Sequence, residues 1–269
     1  LTDDALRPGA AVVLAGRRSG ADPLAEAAGA PHRALLEIEG EPMLFRVVRR
    51  LLARRGLDTV VVNIDRPELL STFPAWSSLA AGGRIEVVQS TDSPSRSVLE
   101  SLAVAGLDRR PVLVTTADHA LLDDRMLDRF FTLAATSAPD LQLALVPRAV
   151  ILQRFPEAKR TYLRFRDEAY SGANLFLFRT PAAREAALFW QRVENDRKRP
   201  WRLARAFGLT NLLRFLTRRL DLAQAMQQAS AVIHAQIEAI PLDIAEAAVD
   251  VDKIEDLQLV RAILADPDR

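Results

Sequence analysis

Residues Ala10 to Gly20 read AAVVLAGRRSG. The six residues up to Ala15 form a short apolar run closed by Gly16, the pattern of a strand buried on both faces of a parallel sheet. Behind it come two glycines, a serine and two arginines, a composition that lets backbone approach a polyphosphate. The loop carries neither the GxGxxG of a dinucleotide fold nor the GK[ST] of a P-loop. A plain strand-ending turn with solvated arginines is the competing reading of the same residues.

Outward from this stretch, strand and helix alternate. Pro42 to Arg54 places Leu44, Val47, Val48, Leu51 and Leu52 at helical spacing with basic residues opposite. Thr59 to Ile64 (TVVVNI), Arg84 to Gln89 (RIEVVQ) and Pro111 to Thr116 (PVLVTT) read as strands, and Ser97 to Ala105 as a helix. Leu141 to Pro147 and Asn174 to Phe178 read as further strands, with Thr161 to Phe165 as an edge strand between them. From Pro181 to about Ser230 the pattern is helical and basic; residues near 238 to 249 return to the sheet, and Ile254 to Leu264 close the chain as a helix. This predicts an α/β fold with a doubly wound, mostly parallel sheet and right-handed crossovers. Ligands then gather at the carboxyl ends of the strands, so the loops after Ala15 and Thr116 face one cleft. A single domain over residues 1–269 is expected, with 181–232 as a helical subdomain or insertion.

The 269 residues are 49% hydrophobic and 26% charged, ordinary for a chain with a large core. Lys and Arg total 36 against 35 Asp and Glu, a net charge of +1, which argues against a nucleic-acid partner. The absence of cysteine removes disulfides, thiolate catalysis and Cys-ligated zinc. The three histidines, His32, His119 and His234, are too scattered for a histidine metal site. No apolar run approaches the roughly 20 residues of a spanning helix, and a cytoplasmic enzyme is expected. Residues 192 to 219 hold nine Lys or Arg against two acids, with Trp201, Phe207 and Phe215 interleaved and Trp190 just ahead. That mixture suits a solvated helix face, a lid over phosphates or peripheral contact with a membrane.

LAGRRSG followed by PHRALLEIEGEPML (Pro31 to Leu44) resembles the opening signature of the MobA-like nucleotidyltransferases, LAGGxGxR, a lysine, a short strand and G-x-P-[ML]. Gly16, Ser19 and Gly20 match the loop, and Gly40, Pro42, Met43 and Leu44 match the turn. Arg17 stands where a second loop glycine is usual, and Arg33 where the lysine is expected. Arginine keeps the charge and grips phosphate bidentately, unlike a lysine's point charge. VTTADHALL (Val114 to Leu122) resembles the family's T-x-D-x-P-[LF] element, whose aspartate binds magnesium. AVDVDKIEDL (Ala248 to Leu257) resembles the closing N-x-N or D-x-D before T-P-E-D-L, with Ile254 in place of the proline. DSPSRSVLESL (Asp92 to Leu102) is similar to the R-x-S-V stretch of cytidylyltransferases, and YSGANL (Tyr170 to Leu175) to the G-x-[NY] element beside the acceptor.

The resemblance implies the nucleotide-diphospho-sugar transferase fold and transfer of a nucleoside monophosphate from an NTP to a phosphorylated small-molecule acceptor, with release of pyrophosphate. It implies that Leu14, Ala15, Gly16, Arg17, Ser19, Gly20, Arg33, Arg96 and Ser97 bind the nucleotide, with CTP favoured. Arg17, Arg33 and Asp118 carry the chemistry, Asp118 with Asp250 or Asp252 holds Mg2+, and Gly172 and Asn174 face the acceptor. A carboxylate at a strand's carboxyl end suits a hard cation, and two acids one residue apart point the same way on a strand. Each element has a structural alternative: Asp118 as cap of a helix beginning near Leu121, Asp250 and Asp252 as an exposed strand end and helix cap, Ser93 or Ser95 as the cap that explains the Arg96 turn, and Gly172 as a turn opening a strand. Two other functions compete, a metal-dependent glycosyltransferase of related fold and a nucleotide-binding protein without catalysis.

Overall fold

The computed structural model describes residues 8–16, 22–194, 213–214 and 217–266. In chain order the strands are β1 (Ala10–Leu14), β2 (Glu37–Ile38), β3 (Glu41–Pro42), β4 (Thr59–Ile64), β5 (Ile85–Gln89), β6 (Val112–Thr116), β7 (Leu141–Pro147), β8 (Leu163–Arg164), β9 (Ala169–Phe178) and β10 (Ile237–Pro241). The helices are α1 (Pro23–Ala27), α2 (Met43–Ala53), α3 (Pro74–Ala80), α4 (Pro94–Ala105), α5 (Asp124–Ala134), α6 (Arg148–Arg154), α7 (Arg184–Glu194), α8 (Leu222–Ile233) and α9 (Ile254–Ala265). Eight strands form one sheet in the order β10-β7-β9-β6-β1-β4-β5, with β8 paired to β9. β1 lies parallel between β4 and β6, β5 continues the parallel set, and β10 is parallel to β7. Among the described residues only β9 of this sheet runs the other way, antiparallel to β6, β7 and β8. The expected α/β sheet, doubly wound and mostly parallel, is therefore present.

Alternation along the central strands feeds two layers. Ala11, Val13, Val60, Val62, Ile64 and Leu113 face a core built from α2, α5 and α9, whereas Ala10, Val12, Val61, Val112 and Val114 face α4, α7 and α8. Phe45, Phe130 and Met43 are wholly buried in the larger layer. Each such side chain contributes about 1.5–3 kcal/mol through burial. β2 and β3 make a two-residue hairpin in which Glu39 and Gly40 have φ of 50° and 74°. That left-handed pair is what a tight hairpin turn requires and explains the glycine of the G-x-P element; Met43 then starts α2 immediately after Pro42.

Several boundaries differ from expectation. The strand expected to begin at Asn174 begins at Ala169, so Gly172 does not open it but lies inside the ten-residue β9. Leu143 faces Phe176 while Leu145 faces Gly172, so β9 bulges, and Asn174 sits at the bulge with φ 49°. Asparagine is among the few side chains that tolerate this region. The helix after β6 begins at Asp124 rather than near Leu121, because the Asp123 carboxylate accepts the Met126 amide at 2.9 Å. The edge strand shrinks to Leu163–Arg164. After Pro241 the chain leaves the sheet for a 3-10 turn at Ala245–Ala248, so Asp250 and Asp252 lie on an extended segment outside the ladders. The basic stretch 192–219 lies mostly outside the described residues. Among the described residues, no helix is long and apolar enough to cross a membrane.

Candidate active site

The parallel strands β1 and β6 end side by side. The Ala117 amide donates to the Leu14 carbonyl at 2.9 Å, and the Ala15 amide to the Asn63 carbonyl at 2.7 Å, so the exits of β1, β4 and β6 are tied at one level. Gly16 leaves β1 against β5: a Cβ there would stand 2.5 Å from Ser90 Oγ, so no larger residue fits without displacement. The Ser90 hydroxyl in turn donates to Asn63 Oδ1. Arg17, Ser19 and Gly20 lie outside the described residues.

Asp118 follows β6 as a half-buried carboxylate that accepts a hydrogen bond from the Thr116 hydroxyl. It is not the helix cap, since Asp123 fills that role. The Val251 amide donates to the Asp118 carbonyl at 3.1 Å, which lays the extended closing segment alongside β6. Asp250 and Asp252 flank that contact. Burial pushes the Asp118 pKa up to about 6, and repulsion from Asp250 and Asp252 adds to it, against the Thr116 hydrogen bond and nearby Arg33. Burial likewise raises Asp250, opposed by Arg160.

Arg33 projects from the single turn Arg33–Leu35. Its Nη1 donates to Asp252 Oδ1 at 3.0 Å and its Nη2 to the Asp252 carbonyl at 3.1 Å, and its Nε lies 3.0 Å from Asp22 Oδ2. Asp22 also caps α1, accepting the Leu24 and Ala25 amides. The chain's first and last motifs therefore meet, and the predicted phosphate-binding cation lies among the predicted metal-binding acids. Asp250 is held differently, by Nη1 of the buried Arg160, whose Nη2 lies 3.6 Å from Asp256 Oδ1. Asp256 itself accepts the amides of Asp252 and Lys253 at 3.2 Å and so fixes the start of α9.

The other predicted residues divide. Arg96 stands exposed in the first turn of α4, whose amino end Ser93 caps through the Arg96 amide. Ser97 is buried, and its hydroxyl accepts the Thr91 amide at 2.8 Å, shaping the β5–α4 loop. Gly172 is exposed, with open space where a Cβ would be. Asp22, Asp65 and Arg160 were missed by the sequence reading. Only Asp22 had a local signal, an aspartate directly before a proline at a helix start.

His119, next to Asp118, is wholly enclosed with neither ring nitrogen hydrogen-bonded, and burial pushes its pKa down to about 4. It is a neutral core residue, not a base. Among the described residues, no three His, Cys, Asp or Glu side chains form a ready-made metal cage. Asp118 and one closing-segment aspartate remain as a pair of oxygen donors.

A hypothetical transferase from Thermus thermophilus is 31% identical, with 93% of this chain and 99% of that one aligned at a TM-score of 0.73. A CMP:2-keto-3-deoxy-manno-octonic acid synthetase complexed with CTP is 16% identical over 95% of this chain and 98% of that one, TM-score 0.55. A 4-diphosphocytidyl-2C-methyl-D-erythritol synthase is 16% identical over 96% and 98%, TM-score 0.58. These last two share the fold. No functionally curated sequence matches the chain. The model of the MobA-like NTP transferase domain matches residues 11–193, two-thirds of the chain with Arg33 and Asp118 inside, and the protein belongs to that family.

Proposed function

We propose that the protein transfers a nucleoside monophosphate from an NTP to a phosphorylated small-molecule acceptor and releases pyrophosphate. The observation that carries this is the meeting of Arg33 with Asp252 beside Asp118, which sets a phosphate-gripping cation against two acids at the mouth of the sheet. Arg33 offsets negative charge on the leaving pyrophosphate. An acceptor phosphate is already ionised, so the attack needs no general base, in keeping with the enclosed, neutral His119.

Mg2+ fits the residues present. Burial raises the pKa of Asp118 and repulsion from Asp250 and Asp252 adds to it, and a divalent cation would offset both. Magnesium takes one or two protein carboxylates and completes its shell with water and phosphate oxygens, so a three-residue cage is not required. Asp118 with Asp250 or Asp252 would hold it, and when bound it would polarise the phosphate under attack. CTP is the favoured donor: Arg96 and Ser97 match the cytidylyltransferase stretch, and a neighbour of the same fold holds CTP.

A thermal-shift screen of the four NTPs with and without magnesium tests the reading, since a ligand that binds only the folded state raises its stability. One NTP is expected to stabilise the protein in a magnesium-dependent way, and pyrophosphate is expected with the correct acceptor phosphate. Stabilisation by a nucleoside diphosphate sugar and by no NTP would transfer the protein to the glycosyltransferases.

A further inference from the structure

His32 stands within the Pro31 to Leu44 stretch but at none of its matched positions, Asp65 lies outside every motif of the resemblance, and the two meet. The His32 ring is 2% exposed, and its Nε2 lies 2.8 Å from Asp65 Oδ1 at the exit of β4. Its other nitrogen, Nδ1, accepts the Ala34 amide at 3.1 Å. A nitrogen that accepts carries no proton, so Nε2 bears it and donates to Asp65. His32 thereby caps the turn Arg33–Leu35 by the same logic as a serine or asparagine at a helix start. The ring is a peg with two fixed ends, one in the sheet and one in the turn that carries Arg33.

That turn is short and closed by two backbone bonds, the Leu35 amide donating to the His32 carbonyl and the Leu36 amide to the Arg33 carbonyl, each at 3.0 Å. Three residues of 3-10 geometry have little stability of their own. The direction of the Arg33 side chain therefore depends on what fixes the backbone on either side. On one side is the β2–β3 hairpin, on the other His32. Arg33 is a planar fork, and a fork misaimed by an ångström loses its bidentate grip where a lysine's point charge would not.

We propose that His32, held by Asp65, is a positioning residue that aims Arg33 at the β and γ phosphates of the bound nucleotide. This rests on the nucleotidyl-transfer reading above. The role is specific to the triphosphate: a nucleoside monophosphate lacks the phosphates Arg33 would grip, so its binding is indifferent to His32. Loss of general integrity would weaken both ligands alike.

The test is titration calorimetry of the preferred NTP and of its NMP against wild type, His32→Ala, His32→Asn and Asp65→Asn. His32→Ala is expected to bind NTP about tenfold more weakly, the loss of roughly one charge-assisted contact, with NMP binding unchanged. His32→Asn supplies a side-chain oxygen to the Ala34 amide and is expected to recover part of the loss. Asp65→Asn is expected to fall between wild type and His32→Ala. Equal weakening of NTP and NMP, or NTP binding in both His32 variants as tight as in wild type, overturns the proposal. Failure of wild type to bind any NTP overturns the nucleotidyl-transfer reading instead. The ligand-free crystal structure of His32→Ala then judges the positioning role by itself, which fails if Arg33 keeps its contacts to Asp22 and Asp252 undisturbed.

Discussion

At the scale of single residues, Asp118 holds the sharpest conflict in the protein. Its pKa in the folded chain, about 6, lies above the value of 3.8 for an unperturbed carboxyl. Below about pH 4 the group is protonated in folded and unfolded chains alike and favours neither. As pH rises toward 6 the unfolded chain gives up its proton first, so the folded state loses stability across that interval, and the deficit stays constant above it. Asp118→Asn removes the deficit while keeping an oxygen for the Thr116 hydroxyl. The variant is expected to be about 1–3 kcal/mol more stable than wild type above pH 7 and no more stable near pH 4. Urea unfolding at the two pH values measures this. The same variant is expected to lose the magnesium-dependent NTP shift, a stabilised protein without its function, as expected where a site holds like charges together for a ligand. A variant less stable than wild type at both pH values would mean that the carboxylate is satisfied by Arg33 and that the crowding is not real.

At the scale of elements, the bulge of β9 is the irregularity that adjoins the site. Asn174 occupies the left-handed region there, and the 3-10 turn at Ala245–Ala248, which leads into Asp250, packs against this strand. Asn174→Gly is expected to fold as wild type does, whereas Asn174→Val, β-branched in a left-handed conformation, is expected to cost about 1–3 kcal/mol. If the bulge also faces the acceptor, Asn174→Gly raises the KM for the acceptor and leaves that for the NTP unchanged; steady-state kinetics along both substrate axes separates the two. The bulge marks where sequence reading runs out. Thr59–Ile64 and Leu141–Pro147 were legible to the residue because short β-branched and aliphatic runs, each interrupted by a single amide side chain at Asn63 or Gln142, have few other uses. The first half of β9 was not, since Gly172 read as a turn and only pairing with Leu145 of β7 holds it in the sheet. The site shows the same division. Asp118, Arg33 and Asp252 stood in recognisable strings, whereas Asp65 and Arg160 act through partners 33 and 90 residues away and had no local pattern to betray them.

At the scale of the whole molecule, the site is a meeting of chain ends: Arg33 and Asp252 are 219 residues apart in sequence and bonded in space. The two closing aspartates are not equivalent. Asp250 is tied to Arg160, only 9% of whose side chain is exposed, while Asp252 is 61% exposed and tied to the very arginine that a triphosphate would draw away. On the proposed function, NTP would free Asp252 and leave Asp250 engaged, which would make Asp252 the better second ligand for magnesium. The ligand-free contact between Arg33 and Asp252 acts as a restraint on nucleotide entry, though an exposed pair is worth at most about 1 kcal/mol. Asp252→Asn would lower that restraint and remove the proposed metal ligand at once, so its effects on NTP affinity should have opposite signs. Without magnesium the variant is expected to bind NTP up to about fivefold more tightly than wild type, and with magnesium more weakly. Calorimetry in the two buffers reads both. A variant weaker in each buffer would show that Asp252 supports Arg33 in its working position, and a variant unchanged with magnesium would pass the metal-binding role to Asp250, with Arg160 as the cation that must give way.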